Sequence, residues 1–312
     1  MRAPARAGAL AFLRRPALGR GEDAADVGAK RQRTPLFGRQ WNAALTRVGP
    51  LTVDLFPRRY ASADGSVRDP WMDSARPSIP ILLYHKIGRP PRGARVPGHY
   101  VSPRLFARHL DYLLGRGYTT ISLLDLESAG GRRPPMRPVV ITFDDGYRCL
   151  HEHALSALSA RRMTATVFLV TSGIGGSNVW EQAVGDVAEP MLSLSEIEEM
   201  RETGLEFGSH TLSHAHLTLL SESEAQHEIS GSRHALEQAL GERCRSFAYP
   251  YGEWNQRVRD MVEQAGYEAA CTTVRAAATP GDDPMALPRI NIRRYNVIPR
   301  FAYKLWRAGQ LR

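Results

Sequence analysis

PVVITFDDGY, residues 138–147, ends an apolar run on two adjacent carboxylates and a glycine. From Val139 to Phe143 every residue is apolar or β-branched, the pattern of a strand covered on both faces. Ionised acids are costly in such a place unless a cation or a metal neutralises them. Asp144 and Asp145 therefore need a reason to be there. A fully covered strand also implies a parallel sheet flanked by helices, and in such folds ligands gather at the C-terminal strand ends.

The neighbouring chain fits this frame. PILLYH (80–85), YTTIS (118–122), ATVFLV (165–170), LEFGS (205–209) and RSFAYP (245–250) read as strands, with a weaker candidate at EAACTTV (268–274). A helix is predicted after Ser102, its N-cap, with Pro103 at the first position and Gly115 or Gly117 at its end. Leu105, Phe106, Leu110, Leu113 and Leu114 form its apolar stripe. Further helices are predicted from near Tyr147, Ser193, Ser221 and Asn255. Ser193 with Glu196, and Ser221 with Glu224, have capping-box spacing. Repeated βα units predict a parallel sheet with helical crossovers. The pattern leaves open whether the sheet closes.

Charge divides the chain. The formal net charge is +9, but residues 1–77 carry 14 Lys+Arg against 7 acids, and residues 289–312 carry 7 against none. Residues 78–288 hold 20 against 25. The basic character thus belongs to the ends, which argues against a nucleic-acid groove on the body. Residues 1–77 lack periodicity and read as a flexible basic extension, with one short helix near 41–48. The alternative is a start site placed too far upstream, with Met72 just before the first convincing strand. Residues 78–296 form the predicted folded domain and 297–312 a basic C-terminal helix, with Phe301, Leu305 and Trp306 set against its basic residues. That helix is expected to dock on the body, or else to touch a membrane surface.

Cys149, Cys244 and Cys271 are odd in number and far apart, so neither a disulfide framework nor a thiolate zinc site is indicated. No run of 18 apolar residues suggests a spanning helix, and residues 9–13 are too short for a secretory core. The default location is cytoplasmic, with export or envelope association as the alternative.

Three strand ends carry chemistry: FDDG (143–146), GSHTLSHAHL (208–217) and AYPYG (248–252). Taken singly, each has an ordinary reading. An Asp can cap the following helix, two histidines four apart share a face only if the segment is helical, and a Tyr-Pro-Tyr-Gly can be a turn. Together they offer two imidazoles and a carboxylate, a set suited to zinc or a similar divalent ion with a position left for water. A second carboxylate is then free to act as a base.

With these motifs in order, from ILLYHKIG through PPMRPVVITFDDGY, GSHTLSHAHL and SFAYPYG to AGYEAACT, residues 80–291 resemble the polysaccharide deacetylases of the NodB-homology, carbohydrate esterase 4 type. The resemblance implies a distorted (β/α)7 barrel and a metal-dependent hydrolase removing N-acetyl groups from a carbohydrate. Carried over, Asp144 resembles the catalytic base, Asp145, His210 and His214 the metal ligands, Thr211 the hydroxyl that orders the histidine loop, and the backbone N–H of Tyr251 the oxyanion donor. The implied cofactor is a divalent metal, zinc before cobalt, nickel or iron, and the implied partner an acetylated oligo- or polysaccharide. Loops 85–100 and 172–190 are where sugar contacts are expected.

Two positions depart from the family pattern. Ala248 stands where an Arg often holds the base. No His follows His234, and the late strand reads LPRINI where an acid His is usual. His85 is then the candidate acid by position, with His216 weaker. The YHKI and AYPYG variants resemble the branch acting on poly-N-acetylglucosamine, which also lacks the late His. The rival readings are an O-acetyl polysaccharide esterase and a weakly catalytic sugar-binding relative.

Overall fold

The computed structural model describes residues 78–128 and 137–310. The extension read over 1–77, its helix near 41–48 and Met72 lie outside them. In chain order the described elements are β1 (Ile81–Tyr84), β2 (Lys86–Ile87), β3 (Tyr100–Val101), α1 (Pro103–Gly115), β4 (Thr119–Thr120), α2 (Asp125–Ser128), β5 (Pro138–Phe143), α3 (Leu155–Ser159) and β6 (Thr166–Leu169). There follow α4 (Val179–Gln182), α5 (Leu194–Glu202), β7 (Glu206–Ser209), α6 (Glu222–Leu240), β8 (Ser246–Ala248), α7 (Gln256–Gln264), β9 (Ala269–Cys271), β10 (Ile290–Asn291) and α8 (Ile298–Ala308).

The main sheet runs β10-β1-β5-β6-β7-β8-β9, with β4 also paired to β5, and every pair is parallel. Its two edges meet on one segment. Leu287 bridges Cys271 beside β9, while Ile290, three residues on, pairs with Leu82 of β1. The sheet therefore curls round in the barrel-like form that the resemblance implies, rather than lying open.

Strand β5 spans the expected residues, and its side chains alternate. Val139, Ile141 and Phe143 join the larger core under the helices. Val140 joins a smaller inner cluster with Ile81, Phe168, Ala248 and Cys271. Burying each such side chain fully contributes about 1.5–3 kcal/mol. Asp144 falls on the same side as Val140 and Thr142, so the period of two sends it into the barrel.

The helix signals hold at most ends. Ser102 Oγ accepts from Leu105 N–H, and both predicted capping boxes are present. In α1 the stripe differs by one position, for Leu114 is exposed and His109 is buried instead. The helix expected from Tyr147 begins later, as a wide π turn at Leu150–Ala154 that continues into α3. Neither Asp144 nor Asp145 caps it. At the C-terminus, α8 buries Phe301, Leu305 and Ala308, and the His109 ring stacks on Phe301 at 4.1 Å. The helix docks on the body. Among the described residues no helix is long and apolar enough to cross a membrane. Cys149, Cys244 and Cys271 are free thiols, and burial pushes each up to about 12, so none is a thiolate at neutral pH.

Candidate active site

Asp144 continues the β5 ladder, its N–H donating to Tyr84 O at 3.0 Å. Its carboxylate is buried and meets Arg289, whose Nη1 and Nη2 each donate to one carboxylate oxygen at 2.7 Å. Arg289 is wholly buried, and its remaining donors reach Thr272 O at 2.8 Å and Thr142 Oγ1 at 3.1 Å. A charge so enclosed is tolerable only with this fork-to-fork pairing. The arginine that grips Asp144 thus lies in the late LPRINI segment. Ala248, the family position for that arginine, contributes its carbonyl instead.

Asp145 breaks the strand alternation. Its φ of 75° is left-handed, rare for a residue with a side chain, and Gly146 follows at 86°. A Cβ on Gly146 would lie 2.5 Å from a Leu169 methyl, so only glycine fits there. The two left-handed residues keep Asp145 from being thrown to the opposite face. Its Oδ1 lies 3.5 Å from His210 Nε2 and 3.4 Å from His214 Nε2.

His210 follows the end of β7, but the segment between it and His214 is not helical. Thr211 and His214 are themselves left-handed, at φ 69° and 62°. Thr211 Oγ1 accepts from His214 N–H at 3.0 Å, and Thr211 N–H donates to Ser209 Oγ at 3.2 Å. The hydroxyl thus ties the loop that carries both histidines. His210 Nδ1 donates to Ala248 O at 2.7 Å, which leaves Nε2 with a free lone pair. His214 is held by ring contacts: Trp180 stacks on it at 5.3 Å and the Tyr251 ring meets it edge-on at 4.5 Å.

These donors fit a divalent ion. Asp145, His210 and His214 form a buried group whose ligand atoms all lie within 4.8 Å of one another. Two ligands of a tetrahedral ion at about 2 Å are roughly 3.3 Å apart, close to the 3.4 and 3.5 Å found here. Burial lowers the pKa of both histidines, His214 the more, which favours neutral imidazoles presenting lone pairs. Burial first, then the neighbouring Asp144, pushes the Asp145 carboxyl well above its usual range. Three electron-pair donors turned on one point in a dry place are what a cation requires.

The cluster opens on a cavity of about 490 Å³ that Asp144, His85 and Tyr251 also line. Tyr251 is left-handed at φ 60°, and its ring stacks flat on His216 at 3.8 Å. His216 itself pairs with Glu253 at 2.9 Å, outside the cavity lining. His85, after β1, stacks on His99 at 4.0 Å, and its buried Nδ1 has no hydrogen-bond partner. Burial, then His99, holds its pKa well below the ordinary histidine value. Both loops marked for sugar contact reach the cavity, through Arg95 and His99 on one side and Trp180 and Glu181 on the other.

The sequence reading missed Arg289, although an Arg inside LPRINI was as anomalous in a buried strand as Asp144 was in its own. It also missed Glu181. That carboxylate accepts from Lys86 Nζ at 2.9 Å, Tyr147 Oη at 2.7 Å and Asn178 Nδ2 at 2.6 Å, and so fixes the short helix α4 beside the site.

Residues 131–270 match the family model described as polysaccharide deacetylase. The chain is 28% identical over 225 residues to YxkH of Bacillus subtilis, assigned to the polysaccharide deacetylases, with 71% of this chain and 74% of that protein covered. It is 32% identical over 165 residues to the poly-β-1,6-N-acetyl-D-glucosamine N-deacetylase of Staphylococcus epidermidis. That match covers 50% of this chain and 55% of the relative, about half its length. A Streptococcus pyogenes deacetylase solved with acetate superposes with a TM-score of 0.64 at 25% identity, over 75% of this chain and 99% of that one. The family model over residues 131–270, these relatives and the likeness in fold all name the polysaccharide deacetylases as the proteins this chain is similar to.

Proposed function

We propose that this protein removes N-acetyl groups from an acetylated sugar chain of the poly-N-acetylglucosamine or chitin kind, using a divalent metal held by Asp145, His210 and His214. One observation carries the reading. A carboxylate locked by a bidentate arginine and a three-donor cluster of metal-ligand type open side by side on one cavity. When bound, the ion would polarise the acetyl carbonyl and acidify water beside it.

The chain's own residues supply the rest. Asp144 is the base: Arg289 fixes its plane, and it takes the proton of the attacking water. The backbone N–H of Tyr251 faces the oxygen that gains charge, and its left-handed φ sets the direction of that donor. His85 is the proton donor to the leaving nitrogen. Burial favours its neutral form, so it donates only after taking up the proton that Asp144 removes from the water. Trp180 and the Tyr251 ring offer flat faces on which a sugar can rest. The N-deacetylase name of the S. epidermidis relative and the acetate held by the S. pyogenes structure agree with this chemistry.

The test is acetate release from N-acetylglucosamine oligomers and, in parallel, from an O-acetylated xylan fragment, with and without chelator. Faster release from the N-acetylated oligomer, lost on chelation and reduced by about a hundredfold or more in Asp144→Asn, supports the proposal. Full activity in Asp144→Asn overturns the assigned base. Release from the xylan alone makes the enzyme an esterase. Metal binding without release from either substrate points to a sugar-binding relative.

A further inference from the structure

The cavity is also lined by two cations that, among the described residues, meet no carboxylate. Four carboxylates line the cavity, and three have partners of their own. Asp144 is held by Arg289, Glu181 accepts from Lys86 at 2.9 Å, and Asp186 accepts from the backbone N–H of Arg95 at 2.9 Å and of Val187 at 2.8 Å. The fourth, Asp145, belongs to the histidine cluster. Arg275 and Arg293 line the same cavity and are exposed, yet among the described residues neither is paired with a carboxylate.

A third cation stands behind them. Lys304 of α8 donates to Asn291 O at 2.5 Å and Asn296 Oδ1 at 3.2 Å. Burial first, and then Arg275 and Arg293, hold its ammonium down to about 8. Asn291 itself lines the cavity and has a buried Oδ1 without a donor. Two exposed guanidiniums on the lining of one cavity focus its field on an anion.

We propose that Arg275 and Arg293 bind an anionic group on the sugar chain, so that the preferred substrate is an acetylated glycan bearing carboxylate or phosphate rather than a neutral homopolymer. This rests on the deacetylase reading above for the reaction and departs from it in the substrate, replacing the neutral homopolymer with an acidic glycan. The planar guanidinium fork matches either anion through paired hydrogen bonds. Asn291 Oδ1 accepts from a sugar hydroxyl beside it. A chain already rich in free amines, being cationic, is repelled from this wall.

The experiment measures binding by calorimetry and acetate release together, for the full metal-loaded chain. Three oligomers of equal length are compared: neutral N-acetylglucosamine, N-acetylglucosamine alternating with a uronic acid, and N-acetylglucosamine bearing phosphate monoesters. The expected result is a preference of about tenfold or more for one acidic oligomer at low salt, shrinking as salt rises. Whichever acid wins identifies the anion. In Arg275→Gln/Arg293→Gln the acidic-to-neutral ratio should fall to near one. Equal use of all three oligomers by the native chain, or a ratio unchanged in the double variant, overturns this inference and leaves the deacetylase reading intact. Arginine-dependent binding of an acidic oligomer with no acetate released from any of the three overturns the deacetylase reading and keeps the anion site.

Discussion

Arg289 holds both carboxylate oxygens of Asp144 at 2.7 Å across 145 positions of sequence. The pair is buried, so removing one member strands the other. Arg289→Met should destabilise the fold by about 3–5 kcal/mol, read as a lower urea midpoint. Adding Asp144→Asn should recover much of that loss, because no charge is then left unpaired, while acetate release stays absent. If the double variant is no more stable than Arg289→Met, the pairing is not what the arginine contributes.

Metal removal should act on activity and stability together. Asp145, His210 and His214 gather three donors in a dry pocket, and an ion filling it binds the folded chain alone. At a free concentration of 100 times Kd this adds about 2.7 kcal/mol. Chelation should therefore lower the melting midpoint and stop acetate release, with both restored by added zinc, cobalt, nickel or iron. His210→Ala and His214→Ala should lose stoichiometric metal by elemental analysis. Metal content unchanged in both variants would place the ion elsewhere.

Gly146 and Gly241 offer a matched comparison. Both are left-handed, at φ 86° and 68°, but an added Cβ meets Leu169 at 2.5 Å in the first and open space in the second. Gly241→Ala should cost about 1 kcal/mol from backbone strain. Gly146→Ala should cost roughly 1–3 kcal/mol more, from the overpacking contact. Chemical denaturation of the two variants gives the difference directly, and equal losses would mean that Leu169 moves aside freely.

His109 predicts a direction for stability against pH. It is buried, accepts from Tyr84 Oη at Nδ1 (3.1 Å) and donates from Nε2 to Asn296 O at 2.6 Å. Burial lowers its pKa from 6.5 to about 4. Between those values the unfolded chain binds a proton that the folded chain refuses, so stability falls as pH drops from 6.5 through 4. The full effect is about 3 kcal/mol, at 1.36 kcal/mol per unit. Unfolding free energies from pH 7 to 4 should show a shallower decline in His109→Gln than in the native chain. The same decline in both would assign the acid sensitivity to other groups.

Much of the barrel could be read directly. The unbroken apolar run of β5, the capping boxes at Ser193 and Ser221 and the N-cap at Ser102 are local signals, and each is realised at the residue expected. The turn after Asp145 was less legible. The left-handed Asp145, followed by a Gly146 closely approached by Leu169, and the π turn at Leu150–Ala154 are features that no helix propensity records. Likewise the spacing of His210 and His214 puts them on one face only in a helix, whereas here two left-handed residues and the Thr211 hydroxyl bring them together.

By itself the sequence marked groups that the fold brings to one cavity: Asp144 and Asp145 stand out by the cost of burying them, and the two histidines by lying with them at the strand ends. It could not say what neutralises each. Only the tertiary structure paired Asp144 with Arg289, gave the Ala248 carbonyl to His210 and set Arg275 and Arg293 together on the cavity wall. The physical reason is sheet closure. When residues 287–291 join both edges of the curled sheet, the end of the chain is carried onto strands 145 residues earlier. Electrostatic partnership depends on that proximity and not on distance along the chain.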